Sequence, residues 1–385
     1  MTRRAAPIDM KWIDLALELA ERGRFTVSPN PMVGAVIVRG GRVVGTGFHR
    51  NAGGPHAEVS ALAKAGRLAA GADLYVTLEP CAHLGRTPPC TEAILAAGIR
   101  RLVVAARDPN PLVAGRGFSA LRRGGVRILA ATPEQRRRAE LQNERFLVWI
   151  RKRRPFVLAK WAGSLDGRIA TARGKSRWIT GPEARKRALL LREEFDAVLV
   201  GAGTVLADNP RLTRRLGENR ITPHRRIVLD GHLRVPESAR LFRDPQDVIL
   251  VTTRPPETPS VRRLLSRGVA VWSLRGGRPG RVSIPVLLER LAHERITSLL
   301  VEGGSATFWE FFRARRVDRV AVFLAPRILG GSRAPGGVGG DGFTLPATPR
   351  VDDIEIERLG EDILVTGRVR RGAVERPKSR VPSPK

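Results

Sequence analysis

The charged run Arg151-Lys-Arg-Arg-Pro155 interrupts a chain in which short apolar segments alternate with helix-length ones. Proline cannot continue a helix, so the run reads as a boundary between two α/β alternations. At 385 residues the chain is too long for one ordinary core. Two domains are expected, residues 1–150 and 151–370. Residues 371–385, with prolines at 377, 382 and 384, read as a disordered tail.

In the first half, the apolar stripe through Ile8, Trp12, Leu15 and Leu19 predicts a helix ending near Arg22. Residues 33–38 and 43–48 flank Gly40-Gly41 and predict a β-hairpin, since the turn needs positive φ. Helices are then expected at 56–65, 90–97, 118–122 and 135–150, and strands at 74–78, 102–105 and 126–129. In the second half, strands are expected at 156–161, 197–200, 226–229, 248–251, 269–272, 298–301 and 319–324. Helices are expected at 182–194, 259–266, 285–293 and 306–314. Pro182 suits a first helical turn, where its missing amide costs least.

Chemistry concentrates in the first half. His56 and Glu58 stand two residues apart, and the chain's two cysteines, Cys81 and Cys90, follow. Imidazole and thiolate suit Zn²⁺, and three protein ligands leave a fourth position for water. Glu58 then becomes a general acid/base beside a zinc-activated water, as in nucleobase deaminases. The loop 82–89 carries a glycine and two prolines whose bends can close both thiols onto one ion. His83 lies in the same loop and is a rival ligand on chemistry alone. Buried small hydrophobes are the bland reading of the cysteines.

The formal charge of +31 invites a nucleic-acid reading. The basic excess per residue is similar in both halves, however, and no basic tract is interleaved with stacking aromatics, which make up 5% of the chain. A spread excess attracts nucleotides and sugar phosphates without defining a groove. No signal-peptide core and no run of 18 apolar residues is present, so the expected location is cytoplasmic, with no membrane partner.

The second half has no G-x-G-x-x-G after its first strand. Two other glycine turns follow strands instead, Gly201-Ala-Gly-Thr204 and Val301-Glu-Gly-Gly-Ser305. Such turns expose backbone amides to phosphate, which makes a nucleotide the expected ligand.

Several motifs carry a resemblance. Asn30-Pro-Met-Val-Gly34, His56-Ala-Glu58, Thr77-Leu-Glu-Pro-Cys81, His83-Leu-Gly-Arg-Thr-Pro-Pro-Cys90 and Asp108-Pro-Asn-Pro111 resemble the riboflavin-biosynthesis branch of the cytidine-deaminase superfamily. Lys160-Trp-Ala-Gly-Ser-Leu-Asp-Gly167, Ser176-Arg-Trp-Ile-Thr180, Gly203-Thr-Val-Leu-Ala-Asp-Asn-Pro210 and Val301-Glu-Gly-Gly304 resemble that family's attached reductase. The likeness runs from about Met10 to Arg370. It implies a three-layer α/β/α deaminase domain followed by a dihydrofolate-reductase-like α/β domain that uses NADPH.

By the same resemblance, His56, Cys81 and Cys90 hold zinc and Glu58 shuttles protons. Asn30, His83, Arg86, Asp108 and Asn110 contact the pyrimidine and ribose phosphate. Lys160, Ser176, Arg192 and Arg215 hold the reductase substrate, while Trp178, Thr180, Thr204, Asp208, Glu302 and Gly303 line the cofactor and reaction cleft. Asp208 is the better choice of proton donor. Two local departures stand out: Trp161 and Gly163 where smaller or longer aliphatic residues are usual, and Gly231 where a serine or threonine often follows the aspartate.

The implied function is deamination of 2,5-diamino-6-ribosylamino-4(3H)-pyrimidinone 5′-phosphate, then NADPH-dependent reduction of the ribosyl group of 5-amino-6-ribosylaminouracil 5′-phosphate. The partners are these small phosphorylated pyrimidines and a homo-oligomeric copy, with no nucleic acid. Three alternatives stay open: a nucleic-acid base deaminase with an accessory domain, a metal-stabilised binding protein, and a deaminase with an inactive reductase-like half.

Overall fold

The computed structural model describes residues 9–84, 88–110, 113–214, 224–274, 276 and 280–370. Arg86, Arg215 and the expected tail therefore lie outside the described residues. The chain divides into two compact units, the first built mainly from residues up to Pro155 and the second beginning at Phe156.

The first unit runs α1 (Lys11–Glu21), β1 (Gly34–Arg39), β2 (Arg42–Phe48), α2 (Ala57–Ala65), β3 (Asp73–Leu78), α3 (Cys90–Ala96), β4 (Arg101–Ala106), α4 (Arg116–Arg123), β5 (Arg127–Ala130), α5 (Pro133–Gln142) and α6 (Glu144–Lys152). Its sheet has the order β2-β1-β3-β4-β5, antiparallel around β1 and parallel from β3 to β5. Gly40 and Gly41 take φ of 57° and 76°, as the expected hairpin requires.

Both faces of this sheet are covered, which the strands show in their alternation. Ala35 and Ile37 join Leu74 and Val76 against Ala57 and Ala61 of α2 and Ile94 of α3. Val36 and Val38 join Tyr75 and Val103 against Ile13, Ala16 and Leu17 of α1. The result is a three-layer α/β/α sandwich. α2 approaches β2 very closely: a β-carbon at Gly45 would lie 2.3 Å from Ala61 O, and one at Gly47 2.1 Å from Ala57 O.

One expectation here is corrected. The single helix over 135–150 is two helices, broken at Asn143 (φ −102°, ψ 18°). The buried Asn143 amide accepts from Met32 N at 2.7 Å and donates to Met32 O at 2.9 Å. Those bonds satisfy the backbone N–H and C=O of Met32, and they outweigh helix continuity at this residue.

The second unit contains β6 (Phe156–Ser164), α7 (Pro182–Glu194), β7 (Ala197–Gly201), α8 (Ala202–Asp208), β8 (Arg225–Leu229), β9 (Val248–Thr252), α9 (Pro259–Ser266), β10 (Ala270–Ser273), α10 (Ile284–His293), β11 (Ser298–Val301), α11 (Ser305–Arg313), β12 (Arg319–Ala325), β13 (Arg350–Leu359) and β14 (Asp362–Arg370). Its nine-stranded sheet has the order β10-β9-β8-β7-β11-β6-β12-β14-β13. Every neighbouring pair from β10 to β12 is parallel, and β14 and β13 add an antiparallel edge. The central strands β7 and β11 are buried throughout, as a parallel sheet covered on both faces demands.

α8 and the β13–β14 hairpin were not among the expected elements. Among the described residues, no helix is long and apolar enough to cross a membrane.

Candidate metal centre and nucleotide cleft

Local structure brings the three metal-binding candidates together from separate places. His56 is the N-cap of α2, Cys81 follows β3 by three residues, and Cys90 is the first residue of α3. Their ligand atoms all lie within 4.8 Å of one another. His56 Nδ1 is 3.1 Å from Cys90 Sγ and 3.5 Å from Cys81 Sγ. The edge of a tetrahedron around zinc, with bonds of about 2.1–2.3 Å, is about 3.6 Å, so the donor set and spacing fit that ion. His83 is not part of the cluster.

Electrostatics agree with a metal-ready site. The Cys81 thiol is drawn down to about 4, first by the hydrogen bond from Cys90 and then by His56. Cys90 is pushed up by that same bond, so Cys81 is the first thiolate of the pair. Cys90 N also donates to Cys81 Sγ at 3.4 Å, and Thr91 N to Cys81 O at 3.2 Å. Glu58 is 4% exposed, and burial pushes its carboxyl up to about 7. A carboxyl poised there is suited to taking and returning a proton at neutral pH.

The other expected contacts of this unit surround the cluster unevenly. Asp108 is buried and accepts from Asn110 N at 2.8 Å. Asn110 O in turn caps Val113 N and Ala114 N at 2.8 Å each. Asn30 Nδ2 is 2.9 Å from His49 Nε2, and the His49 ring meets His56 edge-on at 5.3 Å. His49 is 3% exposed, and burial lowers its pKa. The sequence reading missed His49; the crowding of three of the six histidines into residues 49–83 was the available signal.

In the second unit, a cleft of about 700 Å³ opens where β7, β8 and β11 end. That end of a parallel sheet is where α/β folds bind ligands. Lys160, Ser176, Thr204, Asp208, Glu302 and Gly303 all line it; Arg192, Trp178 and Thr180 do not. The two glycine turns interlock there. A β-carbon at Gly303 would lie 2.7 Å from Gly201 N, and Gly304 N donates to Thr204 Oγ1 at 3.0 Å. A β-carbon at Gly203 would meet nothing within 4 Å, so this backbone is open to a ligand. Gly201 and Gly304 are the N-caps of α8 and α11.

Arg192 lies just behind the cleft, held by Glu302. Its Nε donates to Oε1 at 3.2 Å, Nη2 to Oε2 at 2.6 Å, and Nη1 to Thr213 O at 3.3 Å. Burial alone would raise the Glu302 carboxyl, but Arg192 and Lys160 outweigh it and hold the group below its usual value. Arg177 Nη2 donates to Asp208 O at 2.9 Å. Trp178 is 65% exposed with the Arg185 guanidinium 4.7 Å over its ring, and Thr180 O accepts from Arg185 Nη1 at 2.7 Å. His232, Arg234 and Arg281 also line the cleft and were not named from the sequence.

The local departures are accommodated. Trp161 packs 5.5 Å from Phe308, against Gly337, where a β-carbon would come within 2.6 Å of the indole nitrogen. At Gly231 a β-carbon would lie 1.9 Å from Gly280 O. Backbone fills the space a serine or threonine would take.

Residues 155–365 match the family described as RibD C-terminal domain, and residues 7–106 match the cytidine and deoxycytidylate deaminase zinc-binding region. The riboflavin biosynthesis protein RibD of Aquifex aeolicus (strain VF5) is 43% identical over 93% of this chain and 98% of its own length. The chain belongs to the RibD family. A solved RibD from Acinetobacter baumannii superposes with a TM-score of 0.83 at 36% identity, covering 94% of this chain and 99% of that one. The Thermotoga maritima diaminohydroxyphosphoribosylaminopyrimidine deaminase/5-amino-6-(5-phosphoribosylamino)uracil reductase gives 0.79 at 37% identity, covering 94% and 98%. RibD architecture therefore accounts for both units: a cytidine-deaminase-like sandwich and a dihydrofolate-reductase-like domain.

Proposed function

We propose that this chain carries out two consecutive steps of riboflavin synthesis. Residues up to about 150 deaminate 2,5-diamino-6-ribosylamino-4(3H)-pyrimidinone 5′-phosphate. Residues 151–370 reduce 5-amino-6-ribosylaminouracil 5′-phosphate with NADPH. The observation that carries this reading is the convergence of His56 Nδ1, Cys81 Sγ and Cys90 Sγ beside the buried Glu58.

His56, Cys81 and Cys90 would hold one zinc ion, which supplies Lewis acidity that makes water nucleophilic near neutral pH. Glu58 takes the proton that water gives up and returns it to the departing ammonia. Its desolvated carboxyl suits both halves of that shuttle. Asn30, His83, Arg86, Asp108 and Asn110 orient the pyrimidine and its ribose phosphate.

In the reductase, NADPH supplies the hydride, and the protein's task is alignment. Lys160, Ser176, Arg192 and Arg215 hold the substrate. Arg192 has three of its five N–H donors committed, which leaves two for a phosphate. Thr204, Glu302, Gly303, Trp178 and Thr180 position the cofactor, and Asp208 supplies the proton that completes reduction at ribosyl C1′. Arg234 and Arg281 give the cleft the positive charge that favours the additional phosphate of NADPH. The cytoplasm, where both thiols stay reduced, is the fitting compartment, and a homo-oligomer is the proposed assembly.

The test is incubation of zinc-loaded protein with the diaminopyrimidine, with and without NADPH. Ammonia release in both and NADPH oxidation in one supports the full reading. Ammonia without NADPH oxidation rejects the reductase half, and turnover confined to RNA rejects the substrate.

A further inference from the structure

At one end of the large sheet, β12, β14 and β13 lie side by side in antiparallel pairing and turn an apolar face to solvent. Residues opposite each other across such a ladder share a face. Val322, Val365 and Ile356 form one row, Leu324 and Ile363 the next, and Val369 and Val351 lie beyond. Ile354 belongs to the same face, since a β-carbon at Gly367 would meet Val351 Cγ1 at 2.4 Å and Ile354 Cγ1 at 3.5 Å. Ile356 is 72% exposed and Ile354 57%, and Ile363 is exposed as well. Arg358 reaches this face only at the hairpin end, where its Nε donates to Gly360 O at 3.2 Å.

The acidic side chains of these strands point the other way. Leu364 is buried on the opposite face, where α7 lies. Gly181 N, at the N-cap of α7, donates to Asp362 Oδ2 at 2.7 Å, and Arg187 Nε donates to Glu357 Oε2 at 3.3 Å. Asp352 and Glu355 are paired with Arg368 and Thr366 on that same side. A contiguous apolar surface set apart from the charges in this way marks an interaction site. The edge of β13 is not the place for it. A bulge between Asp352 and Glu355, with Asp353 at φ 49°, interrupts the ladder, and the acidic side chains crowd along the strand.

We infer that two copies of the chain pack on this face, sheet against sheet across a two-fold axis. Residues 371–385, which follow β14, cannot cover it: they carry five basic residues and three prolines. Rows of valine and isoleucine offer nothing for a charged partner to read. A second copy presents the same rows, and a two-fold contact requires only that self-complementarity. Three strands about 4.8 Å apart and about eight residues long give a flat footprint on the order of 400 Å². Side chains standing above the sheet add to this, so two copies bury on the order of 1,000 Å², about what a specific interface requires. Twisted sheets stacked at about 30° interdigitate such rows. This goes beyond the homo-oligomer proposed above by naming the surface that forms it, and it rests on that assembly.

Sedimentation equilibrium of the zinc-loaded full chain tests the pairing. The expected mass is twice the 42.2 kDa of one chain. Ile354→Glu/Ile356→Glu puts two carboxylates on the face and should return the mass to one chain at the same concentration, with zinc content and cooperative unfolding retained. Both side chains are exposed in the single chain, so its own folding loses little by the change. A wild-type monomer overturns the inference together with the oligomeric reading. A folded variant that keeps the wild-type mass overturns this inference alone. If the variant does not fold, hydroxyl-radical footprinting of the wild type decides. Ile354, Ile356 and Ile363 should be protected at high concentration and labelled on dilution; labelling independent of concentration overturns the pairing.

Discussion

Arg192 and Glu302 form a two-point ion pair just behind the reductase cleft, with both side chains largely withdrawn from water at 13% and 11% exposure. Charges held this way are neutralised by each other, and removing one strands the other. Glu302→Gln is expected to cost the reductase unit about 3 kcal/mol, because Arg192 then lacks its counter-ion. The double variant Arg192→Met/Glu302→Leu should recover much of that loss. Urea unfolding of both variants checks this, and equal losses in the two would contradict it.

Glu58→Gln keeps the shape of the side chain and removes its ability to carry a proton. Ammonia release should fall about 10³-fold, within the range attributed to a positioned acid/base. Zinc content should be unchanged, since Glu58 is not one of the three clustered ligands. NADPH oxidation with already deaminated substrate should also be unchanged. Metal analysis together with the two separate assays distinguishes this outcome from misfolding.

Metal removal should act on one activity only. Dialysis against a chelator is expected to abolish ammonia release and lower the unfolding midpoint of the first unit, because a bound ion stabilises the state that assembles its ligands. Cys81→Ser should do the same. Reduction of the deaminated substrate should survive both treatments, and calorimetry with an NADPH-oxidation assay reads the two effects in parallel.

His224 supplies a pH dependence in the second unit. Burial, and then the nearby Arg214, lowers its pKa from 6.5 to about 4. The unfolded chain therefore binds the proton more readily than the folded one. The stability from a neutral His224 is complete above pH 6.5 and is lost as pH falls through that window toward 4, amounting to about 3 kcal/mol at most. His224→Leu should flatten this decline. Phe195 O, which accepts from His224 Nδ1, keeps its bond from Arg214 Nη2 at 2.6 Å. Denaturation at pH 7.5 and pH 5 compares the two proteins.

Gly231→Ser supplies the side chain that the family resemblance leads one to expect after Asp230, yet in this chain it should be harmful. The new β-carbon would fall on the Gly280 carbonyl, where only backbone movement makes room. A loss of about 1–3 kcal/mol is expected, the range for overfilling a packed site. Weaker NADPH binding should accompany it, because both glycines line the cleft. Fluorescence titration and thermal unfolding measure the two effects.

The parts of this molecule that were readable from residues alone are those in which chemistry dictates residue type. Thiolate, imidazole and a nearby carboxylate admit few substitutes, so His56, Glu58, Cys81 and Cys90 stood out before any geometry. The glycine turns at Gly201 and Gly303 were legible for a similar reason, because close backbone approach tolerates no side chain. His49 was not, since its partners are a proline carbonyl and an amide brought together only by folding. The break at Asn143 was hidden for the same cause: the bonds that favour it reach back to Met32. α8 was hidden inside a stretch read as a turn. The β13–β14 hairpin did carry a period-two signal in Ile354, Ile356, Ile363 and Val365, diluted by charged residues on an exposed edge.

The close seating of α2 on Gly45 and Gly47 has a consequence for how this catalyst can diversify. Main chain rests on main chain there, so the distance from sheet to His56 and Glu58 is set by peptide geometry and no rotamer can adjust it. Sequence drift elsewhere in the interior can be absorbed by neighbouring side chains, but a single methyl group in that lane would displace His56 and Glu58 together. New substrate preferences are therefore open to the loops around the site, while the helix that begins at His56 stays where the hairpin puts it.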